Sequence, residues 1–371
     1  MTTGFVWHER YMWHDQGTSA AFLPAGGMST LQPFTHVENP ETKRRLKNLL
    51  DVLEITDQLQ PIKPRMATRE ELERFHTPDY LDRLEAMSAA QGGDAGSLTA
   101  FGTGGYDIAR LSAGGALALT EAVVSGEVDN GYALTRPPGH HAEADQGIGF
   151  CLLGNTALSA KHARTALGLE RVAVVDWDVH HGNGTQAAFY DDPTVLTISM
   201  HQTNCFPPDS GATQDNGAGA GEGANLNVNM PPGCGHEAYM YALEQVVLPA
   251  LRRFRPELIL VAAGYDASGM DPLSRTLCYG STYRNLMRGV KGVADELAHG
   301  RVVAIHEGGY SPVHVPFCGV AVIETLAGLN EITEDPFEEM LAGMGGDQLL
   351  PHHVESINAA GALLERIPAG A

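Results

Sequence analysis

The chain has 371 residues, is 43% hydrophobic and carries a formal net charge of −21 at pH 7. That charge argues against a nucleic-acid partner, whose phosphates need clustered Lys and Arg, and suits solubility or the steering of a cationic substrate. No run approaches the roughly 18 uninterrupted apolar residues of a membrane span, residues 1–15 lack the basic-then-apolar order of a signal peptide, and five scattered cysteines without C-x-x-C spacing indicate neither a disulfide framework nor a thiolate zinc site. A cytoplasmic protein with no membrane contact is the simplest expectation. Length alone would allow two or three domains, yet no linker or repeat interrupts the chain, so one domain over residues 1–371 is expected.

In chain order, residues 3–8 read as a first strand, and the Gly- and Pro-containing stretch to Pro40 reads as a long surface loop. Leu46, Leu49, Leu50 and Leu53 fall at i, i+3, i+4 and i+7, a helical stripe. Thr68 and Glu71 form a capping box ahead of a short helix ending near His76, and Pro78 opens another. Residues 91–105 are Gly-rich loop. Residues 106–124 are apolar and helical, with Gly114 and Gly115 marking close packing. A strand at 132–135 runs into RPPGHH, and a helix covers 156–167. Val172 to Val175 form a short buried strand, 194–199 another, and residues 201–235 a long loop rich in Gly, Pro and Asn. A helix around Tyr239 to Val247 is expected to kink at Pro249. Then come a buried strand at 258–263, a helix striped by Leu286, Val290, Val293 and Leu297 and stopped by Gly300, and a last strand at 302–305. Strands alternating with helices imply an α/β fold with a parallel sheet covered on both faces.

Ligands in such sheets bind beyond the carboxyl ends of the strands. Just past the strands lie Arg136 to His141, Asp176 to His180, Ser199 to His201, Gly264 to Asp266 and Glu307 to Tyr310. Polar residues from distant segments therefore converge on one rim. Asp176, Asp178 and His180 alternate, which in an extended segment puts them on one face, with Trp177, Val179 and His181 on the other. Buried unpaired carboxylates cost several kcal/mol each, by order of magnitude, and a divalent cation offsets that cost. Asp178, His180 and Asp266 would give an O, N, O ligand set with open positions, as catalytic zinc sites have. Without a thiolate, the set also suits Fe²⁺ or Co²⁺.

His140 and His141 follow two prolines and a glycine and suit proton transfer near neutral pH. Asp176 and Asn183 are available to orient them, and Tyr310 is placed to donate its phenol to a developing oxyanion.

Five stretches, RPPGHHAEADQGIGFCLLGN, VDWDVHHGNGT, SMHQTNCFPPDSG, AAGYDASGMDPL and EGGYSP, resemble the motif series of zinc-dependent histone deacetylases and their bacterial amidohydrolase relatives. The WD and HHGN spellings are similar to class II enzymes, with Asn183 where class I has Asp. YMWHD and HTPDYLDRL fit as well, so the resemblance runs from Phe5 to about Gly345. It implies the arginase/deacetylase fold, a three-layer architecture with a central eight-stranded parallel sheet flanked by helices. It implies zinc on Asp178, His180 and Asp266, a tandem pair His140 and His141 backed by Asp176 and Asn183, and Tyr310 polarising an acyl carbonyl. Phe150 and Phe206, with Gly149, would line a narrow tunnel for an acyl-lysine stem. A potassium ion is expected beside Asp176, Asp178, His180, Ser199 and Met200. Tyr265 departs mildly from the commoner Phe, and Leu273 occupies a position where a polyamine-selective relative carries an acidic gatekeeper.

The leading expectation is thus an N-acyl-lysine deacylase working on peptides or small acylated amines. An acetylpolyamine amidohydrolase shares every catalytic residue. A non-catalytic acyl-lysine-binding metalloprotein would have no need of the histidine pair. A homo-oligomer is expected, with residues 17–40 and 202–235 as candidates for subunit contacts.

Overall fold

Strand Val172–Asp176 is buried along its whole length because apolar residues cover it from both sides. Ala173 and Val175 join one core with Ile198, Ile259 and Val261, whereas Val172 and Val174 join a second with Leu258, Leu260 and Ile305. Period-two alternation thus sends successive side chains into opposite layers. Helices Glu41–Val52, Gly280–Leu297 and Val315–Ala327 cover the first face, and Gly105–Ser125 and Asn155–Thr165 the second.

A computed structural model describes residues 1–28 and 30–370. Its main sheet comprises β1 (Thr3–Val6), β2 (Gln60–Pro61), β3 (Asn130–Ala133), β4 (Val172–Asp176), β5 (Val195–Gln202), β6 (Asn225–Met230), β7 (Leu258–Ala263) and β8 (Val302–His306). The order is β6-β5-β4-β7-β8-β3-β1-β2, and every pairing is parallel. The expected eight-stranded parallel sheet is therefore present. Chain order moves from β4 outward through β5 to β6, then crosses back so that β7 pairs with the other edge of β4. A crevice opens at such a reversal, beyond the carboxyl ends of β4 and β7. In register, Asp176 lies level with Ala262 on one side and Ser199 on the other, which puts the loops after these strands side by side.

Several expectations need correction. The first strand ends at Val6, and the 3₁₀ turn Glu9–Trp13 follows, capped by His8, whose Nδ1 accepts from Arg10 N at 3.0 Å. The stretch read as loop from 17 to 40 contains a small antiparallel sheet of Thr18–Ala20, Leu23–Pro24 and Phe34–Thr35. The loop read over 201–235 hides β6. Its Asn225, Asn227 and Asn229 alternate with Leu226, Val228 and Met230, and only the apolar set enters the core. The amides instead hold the neighbouring loop: Asn227 Nδ2 donates to Gln186 Oε1 at 2.9 Å and to the Ala212 carbonyl at 3.2 Å, and Asn229 Nδ2 to the Gly211 carbonyl at 3.0 Å. Asparagine is a poor strand former, so tertiary pairing overrides local preference here. Pro249 is the second residue of helix Leu248–Phe254. A wide π turn over Leu243–Val247 precedes it, consistent with a ring that cannot donate to the carbonyl one turn back.

Helix Gly105–Ser125 is long and apolar enough to match a membrane span by composition, but most of it is buried inside the protein. Gly114 explains the closeness of that packing: a Cβ there would stand 1.9 Å from the Arg65 carbonyl oxygen.

Asn227→Ala should lower stability by about 1–3 kcal/mol, the cost of leaving buried acceptors unmet. Urea unfolding monitored by circular dichroism would show it as a lower midpoint at unchanged slope; an unaltered midpoint would remove the asparagine strand as an anchor of the loop.

Candidate metal centre and active site

The crevice at the carboxyl ends of β4 and β7 collects the groups that the sequence singled out. Regular strand geometry stops at Asp176, and residues 178–180 bend. Trp177 and Val179 still enter the same core as Ala173 and Val175. Asp178 and His180 meet across the bend rather than along a pleat, with His180 Nδ1 3.1 Å from Asp178 Oδ1. Asp266, three residues beyond β7, brings Oδ2 to 3.1 Å from the same nitrogen. One ligand atom from each of the three residues falls within a mutual span of 4.8 Å.

Backbone donors aim both carboxylates. Gly308 N donates to Asp178 Oδ2 at 2.8 Å, His180 N to Asp178 Oδ1 at 2.9 Å, and Val179 N to Asp266 Oδ1 at 2.8 Å. Gly308 is where the oxygens converge: a Cβ on it would lie 2.3 Å from Asp266 Oδ2, 2.5 Å from Asp178 Oδ2 and 3.1 Å from Tyr310 Oη. Burial and the neighbouring Asp178 push Asp266 up to about 6. Burial opposes charge on His180, but Asp266 and Asp178 raise it well above its usual value. A proton and a divalent cation satisfy this same pair of acids, so they compete for the site. Two carboxylates and one imidazole, buried and aimed by backbone N–H groups, fit a divalent zinc-like ion.

Two other groups of potential ligands exist among the described residues. In His314, Cys318 and Asp335, both imidazole nitrogens are already engaged, by Ser268 Oγ at 2.6 Å and Asp335 Oδ2 at 2.7 Å. Glu71 and Glu121 are both held by Arg65, at 2.7 and 2.6 Å, so a cation is already present there.

Asp176 does not join the three ligands. Its Oδ2 instead lies 2.9 Å from His140 Nδ1, while Oδ1 accepts from Asp178 N at 3.0 Å. His141 Nδ1 is 2.8 Å from Asn183 Oδ1, and the two imidazoles lie 3.9 Å apart, centroid to centroid. Their surroundings drive them apart electrostatically. Burial alone would lower His140, but Asp178 and Asp176 outweigh it and hold it at about 10. Burial, then the charges of His140 and His180, keep His141 well below 6.5.

A cavity of about 130 Å³ leads to these groups and is lined by Phe22, Leu98, Gly149, Phe150, Cys205, Phe206 and Leu273, with His141, His180 and Tyr310 at its inner end. Phe206 stands edge-on to His141, centroids 5.1 Å apart, and Phe150 edge-on to Tyr310 at 5.7 Å. Ser199 and Met200 lie on β5, buried, with Ser199 level with Asp176 in the sheet and its Oγ 2.9 Å from His201 Nδ1.

Other groups in the site had no role assigned from the sequence, although Glu307 stood at the predicted rim. Glu307, at the end of β8, accepts from Gly139 N at 2.6 Å, His140 N at 3.1 Å and Thr156 Oγ1 at 2.9 Å, fixing the histidine turn; burial pushes it up to about 7. Asp271 accepts from Tyr310 N at 2.7 Å and Leu273 N at 2.9 Å, tying the tyrosine to the tunnel wall. Glu143 accepts from Asn183 Nδ2 at 2.8 Å. A carboxylate ending a buried strand was a readable signal for Glu307. Phe22 had none, because it comes from a hairpin within the stretch taken for loop.

A model of the histone deacetylase domain matches residues 36–326. The chain is 49% identical over 342 residues to a histone deacetylase-like amidohydrolase of Pseudomonas aeruginosa, covering 91% of this chain and 90% of that one. It is 36% identical to a probable deacetylase of Archaeoglobus fulgidus, over 89% and 88% of the two chains, and 33% identical to histone deacetylase 8 of Arabidopsis thaliana, over 95% and 96%. Among solved structures it is similar to the HDA15 HD domain, with a TM-score of 0.84, 31% identity and coverage of 99% and 97%. The fold is accordingly of the arginase/deacetylase type.

Asp178→Asn and Asp266→Asn, which keep side-chain size, should each lower the divalent metal bound per chain by at least about tenfold. Elemental analysis after gel filtration reads the outcome; full metal content in both variants would rule out these ligands.

Proposed function

Because the chain belongs to the histone deacetylase family, whose members hydrolyse amide bonds, we propose that it removes acyl groups from lysine side chains, releasing the free amine and a carboxylate. The observation that carries this reading is the narrow apolar passage between Phe150 and Phe206, which ends on His141, His180 and Tyr310. Such a passage suits a stem of methylene groups with an amide at its tip. A Cβ on Gly149 would lie 2.7 Å from both Phe206 Cε1 and His141 Cδ2, so the bare glycine keeps the channel open.

Asp178, His180 and Asp266 would hold the zinc on which this family generally depends. A divalent ion there supplies Lewis-acid polarisation of the acyl carbonyl and a more acidic water. His141 is the neutral member of the histidine pair: with Nδ1 facing Asn183 Oδ1, its Nε2 is free to take the water proton and return it to the leaving amine. His140, held against Asp176 and with Nε2 3.7 Å from Asp178 Oδ1, keeps its proton and contributes positive charge beside the developing oxyanion. Tyr310, its backbone N–H anchored on Asp271, donates its phenol to the carbonyl oxygen as charge grows there.

No acidic side chain lines the passage among the described residues, and Leu273 is apolar. That apolar lining favours acyl-lysine over an acetylated polyamine held by an acidic group within the passage. The same proposal includes a potassium ion beside Asp176, Asp178, His180, Ser199 and Met200, a cytoplasmic place of action, and a homo-oligomer. Its contacts would involve residues 17–40 and 202–235, where Leu23 and Phe34 are exposed.

Turnover of acetyl-lysine peptide should exceed that of N-acetylputrescine at matched concentration; the reverse order would select the polyamine reading, and no chelator-sensitive hydrolysis of any acyl amide would reject both. Tyr310→Phe should lose on the order of 10²–10³ in kcat, typical of one oxyanion donor, at normal metal content. His141→Ala should lower kcat more than His140→Ala, whose residual activity should persist near neutral pH. Equal losses would show that the two imidazoles share the proton transfer.

A further inference from the structure

Lys43 is the third residue of helix Glu41–Val52 and only 1% exposed. Its Nζ makes no hydrogen bond, stands 3.6 Å from Glu38 Oε1 and lies 6.0 Å from the centroid of the Tyr310 ring. Glu38 is its counter-charge, but that carboxylate is shared. Arg136 already grips both carboxylate oxygens, Nε to Oε1 at 2.7 Å and an outer nitrogen to Oε2 at 2.8 Å, and Gln16 Nε2 adds a third contact at 2.9 Å. One carboxylate therefore faces two buried cations, and the ammonium is surplus. Its helix does not account for it, because the first turn of a helix disfavours positive charge. His306, buried nearby, offers no counter-charge, since burial and then Lys43 itself keep it neutral. An ammonium withdrawn from water without a hydrogen bond costs several kcal/mol by order of magnitude, so folding alone gives no reason for it.

Burial opposes charge on Lys43, and Glu38 is the main group that favours it. Asp266, in the catalytic crevice, adds a smaller favourable charge. A phenol that must lend its hydrogen to a growing oxyanion gains electron density at its own oxygen. A cation over the ring favours that build-up through the attraction between ammonium and the π face. We propose that Lys43 is a positioning residue for the hydrolysis, its ammonium holding the Tyr310 ring and strengthening the phenol as donor to the acyl oxygen. The inference rests on the amide-hydrolase reading of the site.

The test is a double-mutant cycle in the metal-loaded enzyme, with Lys43→Met and Lys43→Gln each made with Tyr310 intact and in the Tyr310→Phe background. With Tyr310 intact, kcat should fall fivefold to about thirtyfold, the reach of a desolvated cation–π contact, while KM and metal content hold. The melting temperature should stay level or rise, because Arg136 still pairs with Glu38 and losing the second buried cation relieves its desolvation cost. In the Tyr310→Phe background the further loss should be less than about twofold, since the two residues act as one unit. A wild-type kcat in both variants, an equal loss in both backgrounds, or unfolding of both variants would each overturn the inference, the last by making Lys43 structural. A wild-type enzyme inactive on every acyl amide would instead defeat the function on which the inference rests.

Discussion

Two aspartates that cannot both be buried as bare anions determine how this molecule is built. Asp178 and Asp266 reach the same imidazole nitrogen, each at 3.1 Å, in a region closed to solvent. Like charges this close in a low-dielectric setting repel strongly unless a cation lies between them. The sheet reversal that makes β7 a neighbour of β4 brings them together, and peptide N–H groups from Val179, His180 and Gly308 hold them in place. Acids normally avoided in a core thus become a cation trap at the one edge of the sheet where strand ends meet.

Around that trap the protein uses further buried carboxylates as struts rather than reagents. Glu307 fixes the turn carrying His140, Asp271 fixes the backbone of Tyr310, and Glu38 with Arg136 ties the segment before the first long helix to the histidine loop. Each accepts hydrogen bonds from donors that would otherwise be stranded in the interior. The result is pre-organisation: imidazole, phenol and metal ligands are placed by rigid strand ends and need little rearrangement to meet a substrate. The apolar passage does the complementary task of keeping water from these charges while admitting a thin aliphatic stem.

Much of this was readable from residue order, and the reason differs from case to case. The buried strand before Asp176, with Asp178 and His180 after it, announced the centre, because apolar runs seldom end in two acids without purpose. Asp266 gained weight only through its place beyond a second such strand. Other features lay outside the reach of local pattern. β6 is spelled with alternate asparagines whose role is to seize a distant loop, and β2 is two residues long and ends in proline. Phe22 reaches the passage from a small hairpin with no hydrophobic period of its own. Nothing in the residue pattern singles out Lys43, and only three-dimensional packing shows it under cover beside Tyr310. Alternation after Asp176 gave the correct neighbours through a partly different geometry, since the chain bends there and Asp176 turns to His140.

The claim on which all else rests is that Asp178, His180 and Asp266 together hold one divalent ion. Anomalous diffraction at the zinc edge, from crystals of protein produced in zinc-supplemented medium, tests it directly. A single strong peak should appear in every chain among those three side chains. A peak at His314, Cys318 and Asp335, or at Glu71, Glu121 and His162, with none beside Asp178, would contradict it.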